Sequence, residues 1–175
     1  MSTSPAIFKN AFLEVVSKHS ETLIEARRIT LTEYTAAIRQ LLPEVSGILK
    51  LELYNADYYT LDAILYTDAD KEHFPISTTY AKYIEVALEH ENTIAGSEVE
   101  INKLQLFNAP LKVLITYGGP EEKQNYLQRY SEIIQAGDIF QDISYSRRQL
   151  VIFGTFLDDI EWEFWEYDGR GFIPV

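Results

Sequence analysis

Tyr83-Ile84-Glu85-Val86-Ala87-Leu88-Glu89-His90-Glu91-Asn92 reads as a β-strand whose side chains alternate between two faces. Ile84, Val86 and Leu88 fall on one face, and Glu85, Glu89 and Glu91 on the other. Two carboxylates two residues apart at the end of a strand repel each other, and a purely structural strand gains nothing from that. A hard divalent cation, Mg²⁺ or Mn²⁺, resolves the repulsion because it takes several carboxylate oxygens.

The same alternation, followed outward, sets the surrounding elements. Upstream, Ser4-Pro5 predicts a helix start, and Phe8, Phe12, Val15, Val16 and Leu23 place an amphipathic helix over residues 5–26. A second helix is expected over Thr32 to Leu42, ending at Pro43. Strands follow at 47–54 and at Tyr58 to Tyr66, with Asn55-Ala56-Asp57 turning between them. Asp68-Ala69-Asp70-Lys71-Glu72 reads as a solvated loop.

Downstream, Ser97-Glu98-Val99-Glu100 matches a capping box and opens a helix to Phe107. The apolar run from Pro110 to Tyr117 suits a buried central strand covered on both faces. Gly119-Pro120 starts a helix to Ala136 that Gly137 ends. Residues 149–157 and 160–167 flank Asp158-Asp159 as a β-hairpin. The order predicts one α/β domain over residues 1–175, a mixed sheet with helices on both faces.

Composition narrows the chemistry. The 175-residue chain has 27 acidic and 15 basic residues, a net charge of −12, and no cysteine. Disulfides, thiolate catalysis and Cys-ligated zinc are therefore excluded. The charge argues against broad affinity for nucleic acid but leaves room for a local basic groove or a basic protein partner. No apolar leader and no stretch of about 18 uncharged apolar residues is present, so no membrane association and a cytoplasmic location are expected. There is no Gly-rich phosphate loop, no His-x-x-x-His and no serine elbow.

Asp62 stands in the middle of an expected strand, where propensity and burial both disfavour it. Antiparallel pairing of that strand with the Glu-rich one puts Asp62 beside Glu89 and Glu91. The three carboxylates can then hold one or two Mg²⁺ or Mn²⁺ ions, polarise a phosphodiester and activate a water for in-line attack. The bland alternative is a solvent-facing Asp62, with the glutamates paired to lysine or arginine across the sheet.

With this element order, the chain resembles the PD-(D/E)XK nuclease superfamily, of restriction-endonuclease-like fold. The shared core order is α-β-β-β-α-β; here an extra helix and a C-terminal β-hairpin accompany it. The resemblance implies a metal-dependent nuclease that hydrolyses DNA, with Asp62 at the aspartate position and Glu89 at the acidic position of the acidic-x-Lys pair. Glu91 stands where that lysine is usual, as in members with Glu-x-Glu. The run Ala87 to Asn92, then Lys103-Leu104, then Leu111 to Tyr117 is also similar to a bacterial branch of the superfamily.

The resemblance further implies that the helix after the metal strand packs over the site, so Lys103 can supply the missing cation and act on the reacting phosphate. Its plain alternative is an ion pair with Glu100. Glu14 can approach the site as helix glutamates do in some members, against a solvated position. His90 faces away from Glu89 and is expected in the core, and Asn92 is expected to form a turn.

Glu98 and Glu100 suit a helix start. Arg147 and Arg148 are the best local basic pair for DNA phosphates. The acidic, aromatic stretch Asp158 to Asp168 offers a homodimer or protein contact, or an outer hairpin packed on a helix. An alternative function keeps the fold without the reaction, as an inhibitory or regulatory protein-binding module.

Overall fold

A computed structural model of the chain describes residues 3–67, 83–138 and 148–175. The expected solvated loop at 68–72, and Arg147, lie outside them. Seven strands form one mixed sheet in the order β1 to β7: Glu52–Tyr54, Ala63–Tyr66, Ile84–Glu91, Leu111–Tyr117, Arg148–Phe156, Ile160–Tyr167 and Phe172–Pro174. The central strands β3, β4 and β5 are parallel, and every other pair is antiparallel.

Helices cover both faces, as the alternation of the sequence requires. Helices α1 (Pro5–Lys18), α2 (Ser20–Ile29) and α3 (Leu31–Leu49) bury Phe8, Phe12, Leu23, Tyr34, Ile38 and Leu42 against Val86, Leu88, Val113, Ile115 and Ile152. Helices α4 (Ser97–Gln105) and α5 (Pro120–Gly137) bury Ile101, Leu104, Leu127, Tyr130 and Ile134 against Ala87, Leu114, Val151 and Phe153. All seven residues of β4 are buried, as its unbroken apolar run predicts.

Several boundaries differ from expectation for identifiable reasons. The single helix expected at 5–26 is two, because His19 leaves helical geometry (φ −116°, ψ 18°) and both ends α1 and caps α2. Pro43 does not end the second helix. Proline cannot donate to the carbonyl four residues earlier, and the freed Arg39 carbonyl accepts instead from Asn55 Nδ2 at 2.9 Å. The helix therefore continues to Leu49 and stops at Lys50, a left-handed cap at φ 56°. Its extra turns leave only Glu52–Tyr54 for β1.

The strand expected from Tyr58 begins only at Ala63. Before it, Asp57, Tyr59 and Thr60 have φ of 52°, 49° and 96°, a left-handed conformation that no strand accepts. Helix α4 starts after Gly96 rather than at a capping box and ends at Gln105 rather than Phe107. Ser97 Oγ donates to the Ile94 carbonyl at 2.5 Å instead. Strand β7 was not foreseen.

In β3 the alternation slips once. Leu65 pairs with Val86 but Tyr66 with Ile84, so Glu85 is an extra, bulged residue. Ile84 consequently packs on the α4–α5 face. Glu85 turns the other way, buried, and accepts from the Thr3 backbone N–H.

Glycine matters most at Gly154 in β5. A Cβ there would lie 2.5 Å from the Tyr117 ring and 3.1 Å from Trp162. Gly154→Val should cost about 1–3 kcal/mol of overpacking strain. Urea denaturation checks it; a midpoint equal to wild type would show that the Tyr117–Trp162 wall yields freely.

Candidate functional site

The β2–β3 ladder ends at Ala63 opposite Leu88, and one further step in that register sets Asp62 opposite Glu89. There the chain substitutes a side chain for the next ladder bond. Asp62 Oδ2 accepts from the His90 backbone N–H at 2.8 Å. Its other oxygen, Oδ1, takes Arg39 Nη2 at 2.5 Å, and the same guanidinium nitrogen reaches Asp57 at 2.8 Å. Asn55, on the carbonyl that Pro43 frees, links this loop to the backbone of Arg39 itself.

Glu89 projects from β3 onto the α4 face. Its side chain is only 1 % exposed, with Lys103 Nζ 2.9 Å from Oε1. Lys103 also holds Glu100 at 2.5 Å, one turn earlier on α4, and donates to the Thr60 carbonyl at 3.0 Å. One ammonium thus ties the end of β3, helix α4 and the left-handed loop together. A β-branched residue at φ 96° is strained, on the order of 1–3 kcal/mol, and persists only where its surroundings over-determine it.

Charge is not balanced around Glu89. Burial outweighs the contact with Lys103, and the charges of Asp62 and Glu100 add to it, so the carboxyl is pushed up to about 9. Burial also opposes the charge on Lys103, but its contacts with Glu100 and Glu89 hold its pKa above the ordinary lysine value. At neutral pH the arrangement is a protonated Glu89 beside a Lys103–Glu100 ion pair.

Oxygen donors of this kind suit hard Mg²⁺ or Mn²⁺, which takes one or two protein carboxylates and completes its shell with water and substrate oxygens. Asp62 and Glu89 match in type, and Glu89 Oε1 is buried with no properly aimed hydrogen bond. Among the described residues, however, no three acidic or histidine side chains are grouped to hold an ion by themselves.

Glu91 is the member of the expected trio that is engaged elsewhere. Its Oε1 accepts from the Thr93 N–H at 2.9 Å and the Thr93 hydroxyl at 3.1 Å. Its carboxylate also packs on Gly96, where a Cβ would lie 2.8 Å from it.

The remaining candidates fall as follows. His90 is buried on the opposite face, 3.1 Å from the Tyr117 hydroxyl, and burial lowers its pKa to about 4, so it is neutral. Asn92 Nδ2 donates to Thr35 Oγ1 at 2.6 Å. Glu14 is exposed and paired with Lys18, and Glu98 is paired with Arg129. Arg148 opens β5 across from Leu111, the end of the sheet opposite Glu91 and Thr116, so it does not adjoin the acidic cluster.

In the acidic hairpin Trp162 packs edge-on against Phe12 at 5.1 Å, and β7 pairs with β6 over Trp165–Tyr167. Sequence reasoning missed Arg39 and the Thr60 loop. The available signal was Pro43, four residues past Arg39, followed by a polar Asn55.

No helix among the described residues is long and apolar enough to cross a membrane. Comparison of the chain with protein-family models gives no match, and comparison with curated proteins gives none.

The raised Glu89 pKa fixes a sign. Between the unfolded value near 4.5 and about 9 the folded state holds a proton that the unfolded state has released, so stability from this group falls as pH rises through that window. Glu89→Gln removes the effect. Its stability relative to wild type should rise from pH 5 to pH 8 in urea titrations; a difference independent of pH would refute the buried proton.

Proposed function

We propose that this chain is a metal-dependent phosphodiesterase of restriction-endonuclease-like fold, acting on nucleic acid. The observation that carries the reading is the buried Glu89 carboxylate at the end of β3, with Asp62 and Lys103 beside it under a strained loop. Perturbed acids and strained backbone concentrate at functional sites. The element order supports it too: after the N-terminal helices, a three-stranded antiparallel meander, helix α4, and β4 parallel to β3.

In this reading Asp62 and Glu89 would hold a Mg²⁺ or Mn²⁺ ion. Such an ion polarises a phosphoryl oxygen and lowers the pKa of bound water. Arg39 and the His90 N–H orient Asp62. Lys103 lies against Glu89 from α4, positioned to stabilise negative charge that develops on the phosphate as water attacks and the ester oxygen leaves. Glu91 keeps the turn after β3 in place and takes no part in the chemistry.

A second reading drops the reaction and keeps the fold. Lys103 and Arg39 already occupy Glu89 and Asp62, and a net charge of −12 suits a basic protein partner. The chain would then be an inhibitory or regulatory module.

Nicking of plasmid and of circular single-stranded DNA with Mg²⁺ or Mn²⁺, alongside calorimetric Mn²⁺ titration, separates the two. Wild type should nick, with Asp62→Asn and Lys103→Met each slowing it about a hundred-fold or more and Glu89→Ala losing Mn²⁺ binding. Metal binding without nicking, or neither, would move the protein to the second reading.

A further inference from the structure

Two cavities open beside the end of β3, of about 410 and 400 Å³. Asn92, the residue after β3, lines both. The smaller one is bounded by Thr32, Thr35 and Arg39, and so borders the guanidinium that holds Asp62. The larger lies across the carboxyl ends of β3, β4 and β5, where open α/β sheets place their ligands. Its walls include Arg27, Thr93, Tyr117, Thr155 and Phe156.

Both cavities have the ingredients of a nucleotide site. The Arg27 guanidinium lies 4.7 Å over the Phe156 ring, and Phe156 is stacked on Tyr117 at 5.1 Å. Planar guanidinium and aromatic groups accept an unpaired base on their faces. Asn92 Oδ1 and Arg39 Nε are buried polar atoms with no partner, one acceptor and one donor, both on side chains that line these walls. Hydroxyls and guanidinium groups are the usual contacts to phosphate oxygens.

We infer that the Arg27–Asn92–Arg39 line binds one unpaired stretch of nucleic acid, laying a flanking base against Arg27 and leading the phosphates past Arg39 to Asp62. This rests on the hydrolytic reading above and specifies its substrate as single-stranded. The scale of the cavities favours this: each is of ligand-pocket size. A chain of net charge −12 also has little basic surface for the two phosphate backbones of a duplex.

The test is fluorescence anisotropy on the full chain carrying Glu89→Ala, so that nothing is cleaved, with labelled oligothymidine and oligouridine of about a dozen nucleotides. A duplex of equal length is the competitor. Single strands should bind at least about ten-fold tighter than the duplex, and Arg27→Gln should weaken them about ten-fold. A thermal melt of each variant establishes that it is folded, and Phe156→Leu serves as a second probe of the same wall.

Duplex binding as tight as single-strand binding, no binding of either, or unchanged affinity in folded Arg27→Gln would each overturn the inference. Binding through Arg27 without metal-dependent cleavage of circular single-stranded DNA by wild type leaves the cleft standing and removes the hydrolysis. Such cleavage with an indifferent Arg27→Gln does the reverse.

Discussion

A carboxyl group buried at the end of a central strand needs a polar partner, and Glu89 meets one flexible cation from the covering helix. Lys103 touches Glu89, Glu100 and the Thr60 carbonyl at once. Helix α4, strand β3 and the loop before β2 are therefore tied at one ammonium. Removing Lys103 would take this contact from both carboxyl groups and from the Thr60 carbonyl at once. The strained φ angles at Tyr59 and Thr60 are tolerated because this tie, and the Arg39 contacts to Asp57 and Asp62, hold the loop from both sides.

The proline in α3 belongs to the same system. By releasing the Arg39 carbonyl to Asn55, Pro43 fastens the loop's first residue to the helix that carries Arg39. A helix defect and a salt bridge thus act on one segment, and together they put Asp62 at the end of the β2–β3 ladder. Function and architecture share these contacts, which is why the same ion pairs can be read as a poised site or as a neutralised one. The distinction is chemical: a divalent ion would replace internal compensation with coordination.

On the other face, the neutral His90 and the Tyr34–Tyr117–Phe156 aromatic group fill the space between α3 and the carboxyl ends of the parallel strands. This packing leaves Arg27 and Asn92 at the rim. The larger cavity lies where the three parallel strands end together beside helices that do not fully cover them.

Periodicity alone was enough for the general architecture. The unbroken apolar run at β4, the alternating hairpin of β5 and β6, and the Pro-start, Gly-end helix α5 all form where their residues dictate, because local pattern and burial agree there. Asp62 and Glu89 were legible as odd residues, since a carboxylate in an expected strand needs a partner, while Lys103 was singled out only by the resemblance. What the linear order could not convey was which partner. The bulge at Glu85 and the passage of α3 through Pro43 each depend on a contact between distant segments, while Glu91 is taken by Thr93, two residues on. Backbone pattern determines where a strand runs; only the assembled neighbours decide which oxygen an arginine, a lysine or an amide N–H will take.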